Sequence, residues 1–393
     1  MARVRIGRGR EKRIESGHPW VYRTEIEDIY GEYRPGDIVE VEDWRGKFLG
    51  RGYINPASMI AIRLLTREPR EEINKDFWRR RLQAAWEYRQ KILEGALTDS
   101  FRVVFGEADF LPGLIVDKFA SYLVVQTLAL GIDRHKDILV EILDELIRPE
   151  GIYERNDVSV RELEGLELRS GFLKGSFDPL VTITENDLKF WVDLAQGQKT
   201  GYFLDQRENR AALRPLVKGA RVLDCFCHTG GFGIHAAYYG AREVLGLDIS
   251  EEAVELARRN ADLNGVGNVC SFRVANVFDA LRAMDKEKER YDVVILDPPA
   301  FVKNKKALEG AIRGYKEINL RAMKILNPGG FLITCSCSYH MPPDLFLEII
   351  QSAAKDAHRR LRLVAWRGQP PDHPVLLGYE ESYYLKCLFL QVL

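Results

Sequence analysis

The chain has 393 residues, 46% of them hydrophobic, enough for two or three domains with their own cores, because a single core rarely grows past roughly 250 residues. A net charge of −1 excludes a uniformly basic nucleic-acid protein. No apolar stretch approaches the roughly 20 residues that span a bilayer, and the opening MARVRIGRGREKR lacks the apolar centre of a secretion signal, so a cytoplasmic location without a membrane partner is expected.

Charge is unevenly distributed. The first 24 residues carry Arg3, Arg5, Arg8, Arg10, Lys12, Arg13 and Arg23 against Glu11 and Glu15, a local excess that suits phosphate or, more simply, a solvated tail. GHPWVY, RPGDIVEVED, KFLGRGYI and MIAIRLLT read as short strands separated by turns, giving a small β domain over residues 1–70. DFWRRRLQAAWEYRQKIL then has apolar residues at helical spacing, and RVVFGEAD, GLIVDKF and SYLVVQTLAL return to strand character. Residues 71–184 are therefore expected to form a central α+β domain. A hairpin-like pair, VTITEND and LKFWVDL, opens the remainder, residues 185–393.

In that last part RVLDCF, EVLGLD, SFRVANV, YDVVILD and GGFLITC alternate with helical stretches such as EEAVELARRNADLNG. The alternation predicts an α/β fold, a doubly wound and mostly parallel sheet whose ligands bind at the carboxyl ends of the strands. Each chemically interesting residue should sit just after a strand.

The first of these strands ends at Asp224 and opens into CFCHTGGFG, and the second ends at Asp248, where an acid commonly takes a ribose diol. Gly231, Gly233 and Ala236 fit G-x-G-x-x-A in form, so a dinucleotide-dependent oxidoreductase is one reading. The fit is out of place, because an acid ends the strand and the glycines follow several residues later, which would repel a pyrophosphate. An acid there suits the cationic end of S-adenosylmethionine. A helix-capping carboxylate is the plainer alternative for Asp224, and Asn260, Asn264 and Gly265 are read as a helix end.

The fourth strand runs into DPPAF, residues 297–301. Two prolines end the strand and fix the chain, so that Asp297, with Phe301 beside it, projects from a rigid corner able to hold a flat heterocycle. The fifth strand ends in TCSCSYH, with Cys335 and Cys337 among only six cysteines. Most cytosolic thiols are reduced, so these are expected to be buried, metal-bound or catalytic. A four-cysteine zinc site from Cys225, Cys227, Cys335 and Cys337 is a further alternative, disfavoured by the tight C-x-C spacing.

Taken together, GHPWVY, RPGDIVEVED, GQKTGYFLDQREN, DCFCHTGGFG, DPPAF, the SCS of TCSCSYH and DHPV at 372–375 resemble the large-subunit ribosomal RNA cytosine-5 methyltransferases that join a PUA RNA-binding domain to a class I methyltransferase. The resemblance extends over nearly the whole chain. It implies a PUA-like domain at 1–70, a class I methyltransferase domain at 185–393, S-adenosylmethionine as cofactor and RNA, ribosomal RNA in particular, as partner. A homodimer is left open. It further implies that Thr200, Tyr202 and Arg207 close over the methyl donor, with Asp224 and Phe226 beneath methionine and Asp248 on the ribose. Ile249 beside Asp248, Val277 beside Asn276, and Asp297 complete the implied cofactor set. Asn276 stands where such families often have an aspartate at the adenine amino group; its oxygen can still accept, so altered affinity is expected, not lost binding.

For carbon methylation the resemblance implies a thiolate that adds to C6 of cytosine and activates C5, with Asp297 at the polar edge of the base. Residues i and i+2 face the same way in a strand, so alternation does not separate the two cysteines. Cys337 lies farther along and matches the family's SCS motif, which leaves Cys335 as a buried packing residue. Transfer to a base nitrogen through DPPAF without a thiol, and a non-catalytic RNA-binding protein, are the competing functions. No resident metal is expected.

Overall fold

The computed structural model describes residues 1–301 and 308–393. They form two compact units, one built from Met1–Thr184, Val192–Leu204 and Pro371–Ser382, the other from Glu185–Trp191, Asp205–Pro370 and Tyr383–Leu393. The first unit thus contains both segments expected as separate domains before residue 185, together with two later pieces of chain.

In the first unit, β1 (Arg3–Ile6), β2 (Trp20–Tyr22), β3 (Ile26–Tyr30), β4 (Ile38–Glu42), β5 (Phe48–Ile54) and β6 (Ile60–Thr66) form one sheet in the order β2-β6-β5-β4-β1-β3, with α1 (Glu11–Glu15) after β1. After α2 (Lys75–Ile92), β7 (Phe101–Phe105), β8 (Leu114–Phe119), β9 (Tyr122–Thr127), β10 (Gly151–Asn156) and β11 (Arg169–Lys174) form a second sheet. Helices α3 (Leu130–Arg134) and α4 (Lys136–Ile147) supply the crossover that makes β9 and β10 parallel. Tyr53 and Leu65 of the first sheet are buried in one core with Phe77, Trp78, Val104 and Leu139 of the second layer. Buried Glu164 also joins the two, accepting from Asn55 at 2.8 Å, Ser58 at 2.7 Å and Arg63 at 3.2 Å. The sequence GHPWVY finds its use here: His18 and Trp20 pack edge-on against Tyr379, at 5.5 and 5.0 Å between ring centroids.

A hairpin of β12 (Leu180–Glu185) and β13 (Leu188–Asp193) follows. Its two-residue turn, Asn186-Asp187, has φ of 52° and 68°, the paired left-handed conformation that matches strand twist.

The second unit holds α5 (Arg207–Ala211), β14 (Arg221–Cys225), α6 (Gly231–Tyr238), β15 (Glu243–Asp248), α7 (Glu251–Leu263), β16 (Cys270–Val274), α8 (Val277–Glu287), β17 (Tyr291–Leu296), α9 (Leu308–Ile325), β18 (Leu326–Ser336), α10 (Pro343–Asp356), β19 (Leu361–Arg367) and β20 (Lys386–Val392). The sheet order is β16-β15-β14-β17-β18-β20-β19. The first five run parallel, and β20 enters antiparallel between β18 and β19. This is the class I methyltransferase architecture. Alternation sorts the apolar side chains between the two faces: Leu223, Cys225, Val294, Leu296 and Leu332 pack with α8, α9 and α10. Val222, Val293, Ile295, Ile333 and Cys335 pack with Phe232 and Ala236 of α6.

Candidate active site

The order reversal between β14 and β17 opens a crevice at the carboxyl ends of the strands. The chain leaves β14 through a loop in which Phe226, His228 and Gly230 all have positive φ, 63°, 48° and 84°. Two of these are not glycine, so the loop carries backbone strain of the kind that clusters at functional sites. It delivers Gly233 of α6 to Asp224, whose Oδ2 accepts that N–H at 2.8 Å. A side chain at Gly233 would stand 3.1 Å from the same oxygen. Asp224 therefore does cap α6, as the plainer sequence reading held, but with one oxygen only. Its Oδ1 is buried and has no hydrogen-bond partner. Burial pushes the carboxyl up to about 8; the Gly233 N–H opposes this, while Asp297 and Asp248 add repulsion. A buried carboxyl with an unused oxygen can ionise against a cationic donor, and the amino group of S-adenosylmethionine is one.

Asp248, half-buried at the end of β15, accepts from His228 N at 2.8 Å and Ser250 N at 3.0 Å. These bonds fix its orientation and leave lone pairs for a diol. Ile249 beside it is 71% exposed, an apolar surface suited to an adenine face. Asn276 accepts from Phe278 N at 2.9 Å and so caps α8. Val277 is a core residue, so its contribution to a ligand is limited to its backbone.

Asp297 follows β17, and its Oδ1 accepts from Gln206 Nε2 at 3.0 Å. Phe301 lies in an aromatic group, 4.7 Å from Tyr315, 6.0 Å from Phe278 and 6.4 Å from Phe226. Strand β18 ends at Ser336, so the i, i+2 rule does not extend across the two cysteines. Cys335 is buried with its sulfur 3.2 Å from that of Cys387 on β20. Cys337 lies beyond the strand, half-buried, its thiol 3.9 Å from the Pro298 carbonyl of the DPP corner. Cys225 and Cys335 pack on opposite faces of the sheet, which separates the four thiols of the zinc alternative. Among the described residues no group of three His, Cys, Asp or Glu side chains is arranged to hold a metal ion.

The second unit thus brings together Asp224, Phe226, Asp248, Ile249, Asn276, Asp297 and Cys337 at one end of its sheet, with Arg207 buried at the start of α5. Thr200 and Tyr202 belong to the first unit, where the Thr200 hydroxyl donates to Asp117 at 2.6 Å. Sequence reasoning passed over Gln206, one position before Arg207 in the quoted GQKTGYFLDQREN. It also passed over Tyr315, bonded to Ser336 at 2.9 Å, and Lys386, which donates to the carbonyls of Ser338 and Tyr384 at 2.7 and 2.8 Å. Only the first had a local signal.

The family model described as S-adenosylmethionine-dependent methyltransferase matches residues 168–388, and that of a PUA-like domain matches residues 4–67. The class is therefore an S-adenosylmethionine-dependent methyltransferase that carries a PUA-like domain. Ribosomal RNA large subunit methyltransferase I of Photobacterium profundum is 45% identical over 387 residues, covering 98% of this chain and 97% of its own. That of Cronobacter sakazakii is 42% identical over 386 residues, covering 98% of both. The chain belongs to the ribosomal RNA large subunit methyltransferase I family. In fold it is also similar to the methyltransferase SMU.776, solved in complex with SAH, with a TM-score of 0.87 at 22% identity over the whole of both chains.

Proposed function

We propose that the protein methylates C5 of a cytosine in large-subunit ribosomal RNA, with Cys337 as the nucleophile. The observation that carries this reading is the position of the Cys337 thiol, beyond β18 and against the DPP corner that presents Asp297. The names of the relatives support the RNA. S-adenosylmethionine supplies the electrophilic methyl group; Asp224 holds its amino group and Asp248 its ribose.

C5 of cytosine is too weak a nucleophile on its own. The Cys337 thiolate would add to C6, forming an S–C6 bond and moving the electron pair to C5, which would take the methyl as the donor's S–CH3 electron pair returns to its sulfur and the neutral thioether departs. Loss of the C5 proton and departure of the thiolate restore the 5,6 double bond. Asp297, oriented by Gln206, holds the polar edge of the base while charge shifts onto it. No helix among the described residues is long and apolar enough to cross a membrane, and this substrate places the work in the cytoplasm.

RNA carrying 5-fluorocytosine at the target tests the mechanism, since fluorine does not leave as a proton and elimination stalls. Denaturing electrophoresis should show a protein–RNA band that is lost in Cys337→Ala and kept in Cys335→Ala, with methylation following the same pattern. A band lost only in Cys335→Ala would assign the other thiol. Full methylation with both cysteines replaced would mean transfer to a base nitrogen.

A further inference from the structure

Lys386 is 1% exposed, at the first position of β20, opposite Ser336 in the β18–β20 ladder. Its ammonium donates to the Ser338 carbonyl at 2.7 Å and to the Tyr384 carbonyl at 2.8 Å. Among the described residues it is in no ion pair with a carboxylate. A buried cation without a counter-ion is destabilising unless it serves a neighbouring anion. Ser336 and Ser338, which flank Cys337, are the residues this strand end places around Lys386: one faces it across the ladder, the other accepts its hydrogen bond. Burial pushes Lys386 down to about 8, and a negative charge on Cys337 acts against that shift. The other groups that feel or oppose charge here are Tyr315 from α9, held at about 12 chiefly by burial with Cys337 and Asp297 adding to the effect, and Asp297 itself after β17.

We propose that the Lys386 ammonium is the resident counter-charge of the Cys337 thiolate and, through its bond to Ser338, fixes the turn that presents the thiol. The S–H bond breaks with its electron pair left on sulfur and its proton passed to solvent, and Lys386 keeps its own proton. The carboxylate of Asp297, which acts on Tyr315 together with Cys337, would disfavour an anion here, and the ammonium offsets it. Lys386 acts through Cys337 and is a positioning residue. This assignment rests on Cys337 being the nucleophile.

The test is the pH dependence of Cys337 alkylation by iodoacetamide on the full chain, read by mass spectrometry of the peptide that contains it. In the wild type the profile should have its midpoint below that of a free cysteine. Lys386→Met should slow alkylation at pH 7 about tenfold and move the midpoint upward, as expected for a thiol that loses a neighbouring cation, while Lys386→Arg should keep most of the wild-type profile. A Lys386→Met profile that superimposes on the wild type overturns the proposal. A wild-type midpoint at or above the free-cysteine value also overturns it, whether or not Lys386→Met folds. The Cys337→Ala assay separates the two readings. Methylation retained in Cys337→Ala with the alkylation shift intact removes the nucleophile and leaves the ion pair. Methylation lost with an unmoved profile removes the ion pair alone.

Discussion

Asp224 makes a quantitative demand at the scale of one residue. Its carboxyl is held near 8 by burial in the folded chain, against a value near 4 when unfolded. Between these values the folded state binds the extra proton. The stability this residue contributes is therefore present below about pH 4 and is lost as pH rises towards 8. Binding a cation at Oδ1 should ionise the group, so calorimetry of S-adenosylmethionine binding at pH 7, in buffers of different ionisation heat, should show a proton released. Asp224→Asn should abolish that release and weaken binding by about 1.5 to 3 kcal/mol, the range for a hydrogen bond to a charged group. Proton release that persists in Asp224→Asn would locate it elsewhere. The acids at 224, 248 and 297 were legible in the sequence because a carboxylate at a strand end in such a sheet has few structural uses. Lys386 was not: one lysine at the start of an apolar strand signals nothing until β20 is known to lie beside β18.

Helix α7 shows what an element-level reading captures and what it misses. Asn264 and Gly265 end the helix as expected, with Gly265 at φ 68°. Asn260 does something else. Fully buried, it accepts from Trp191 N at 2.7 Å and donates to Thr229 O at 3.2 Å, holding a piece of β13 and the loop after β14 to one side chain. Asn260→Ala should cost about 1 to 3 kcal/mol by urea unfolding, because the Trp191 N–H loses its partner in the interior. An unchanged midpoint would mean that water replaces the amide. The parallel strands of the second unit were readable from their doubly buried, β-branched runs. The parallel pairs β1–β4 and β9–β10 were not, since strand order in a mixed sheet depends on partners distant in sequence.

For the molecule as a whole, the basic N-terminal segment is less available than its composition suggests. Arg5 is paired with Glu42 at 2.8 Å and Arg13 with Glu25 at 2.6 Å, while Arg3, Arg8, Arg10, Lys12 and Arg23 are exposed. Arg8 and exposed Arg45 also lie over the Trp44 ring, at 5.1 and 4.3 Å. If the exposed set grips phosphate, replacing Arg3, Arg8 and Arg10 by Gln should flatten the dependence of log K on log salt by about 0.7 to 0.9 per lost contact. Arg5→Gln should instead act on stability. A slope unchanged by the triple replacement returns the segment to a solvated surface. Substitution is the appropriate test because the first sheet shares a buried core with the second, so deleting it would expose that core.

The position of β20 sets an order of events in translation. Strand β20, Lys386–Val392, is made after both β18 and β19, yet it lies between them in the sheet. A nascent chain that has reached only residue 385 has β18 without its antiparallel neighbour, β19 with nothing to join, and Cys337 without the cation beside it. The sheet closes, and the thiol acquires its setting, only once residues 386–392 have left the ribosome.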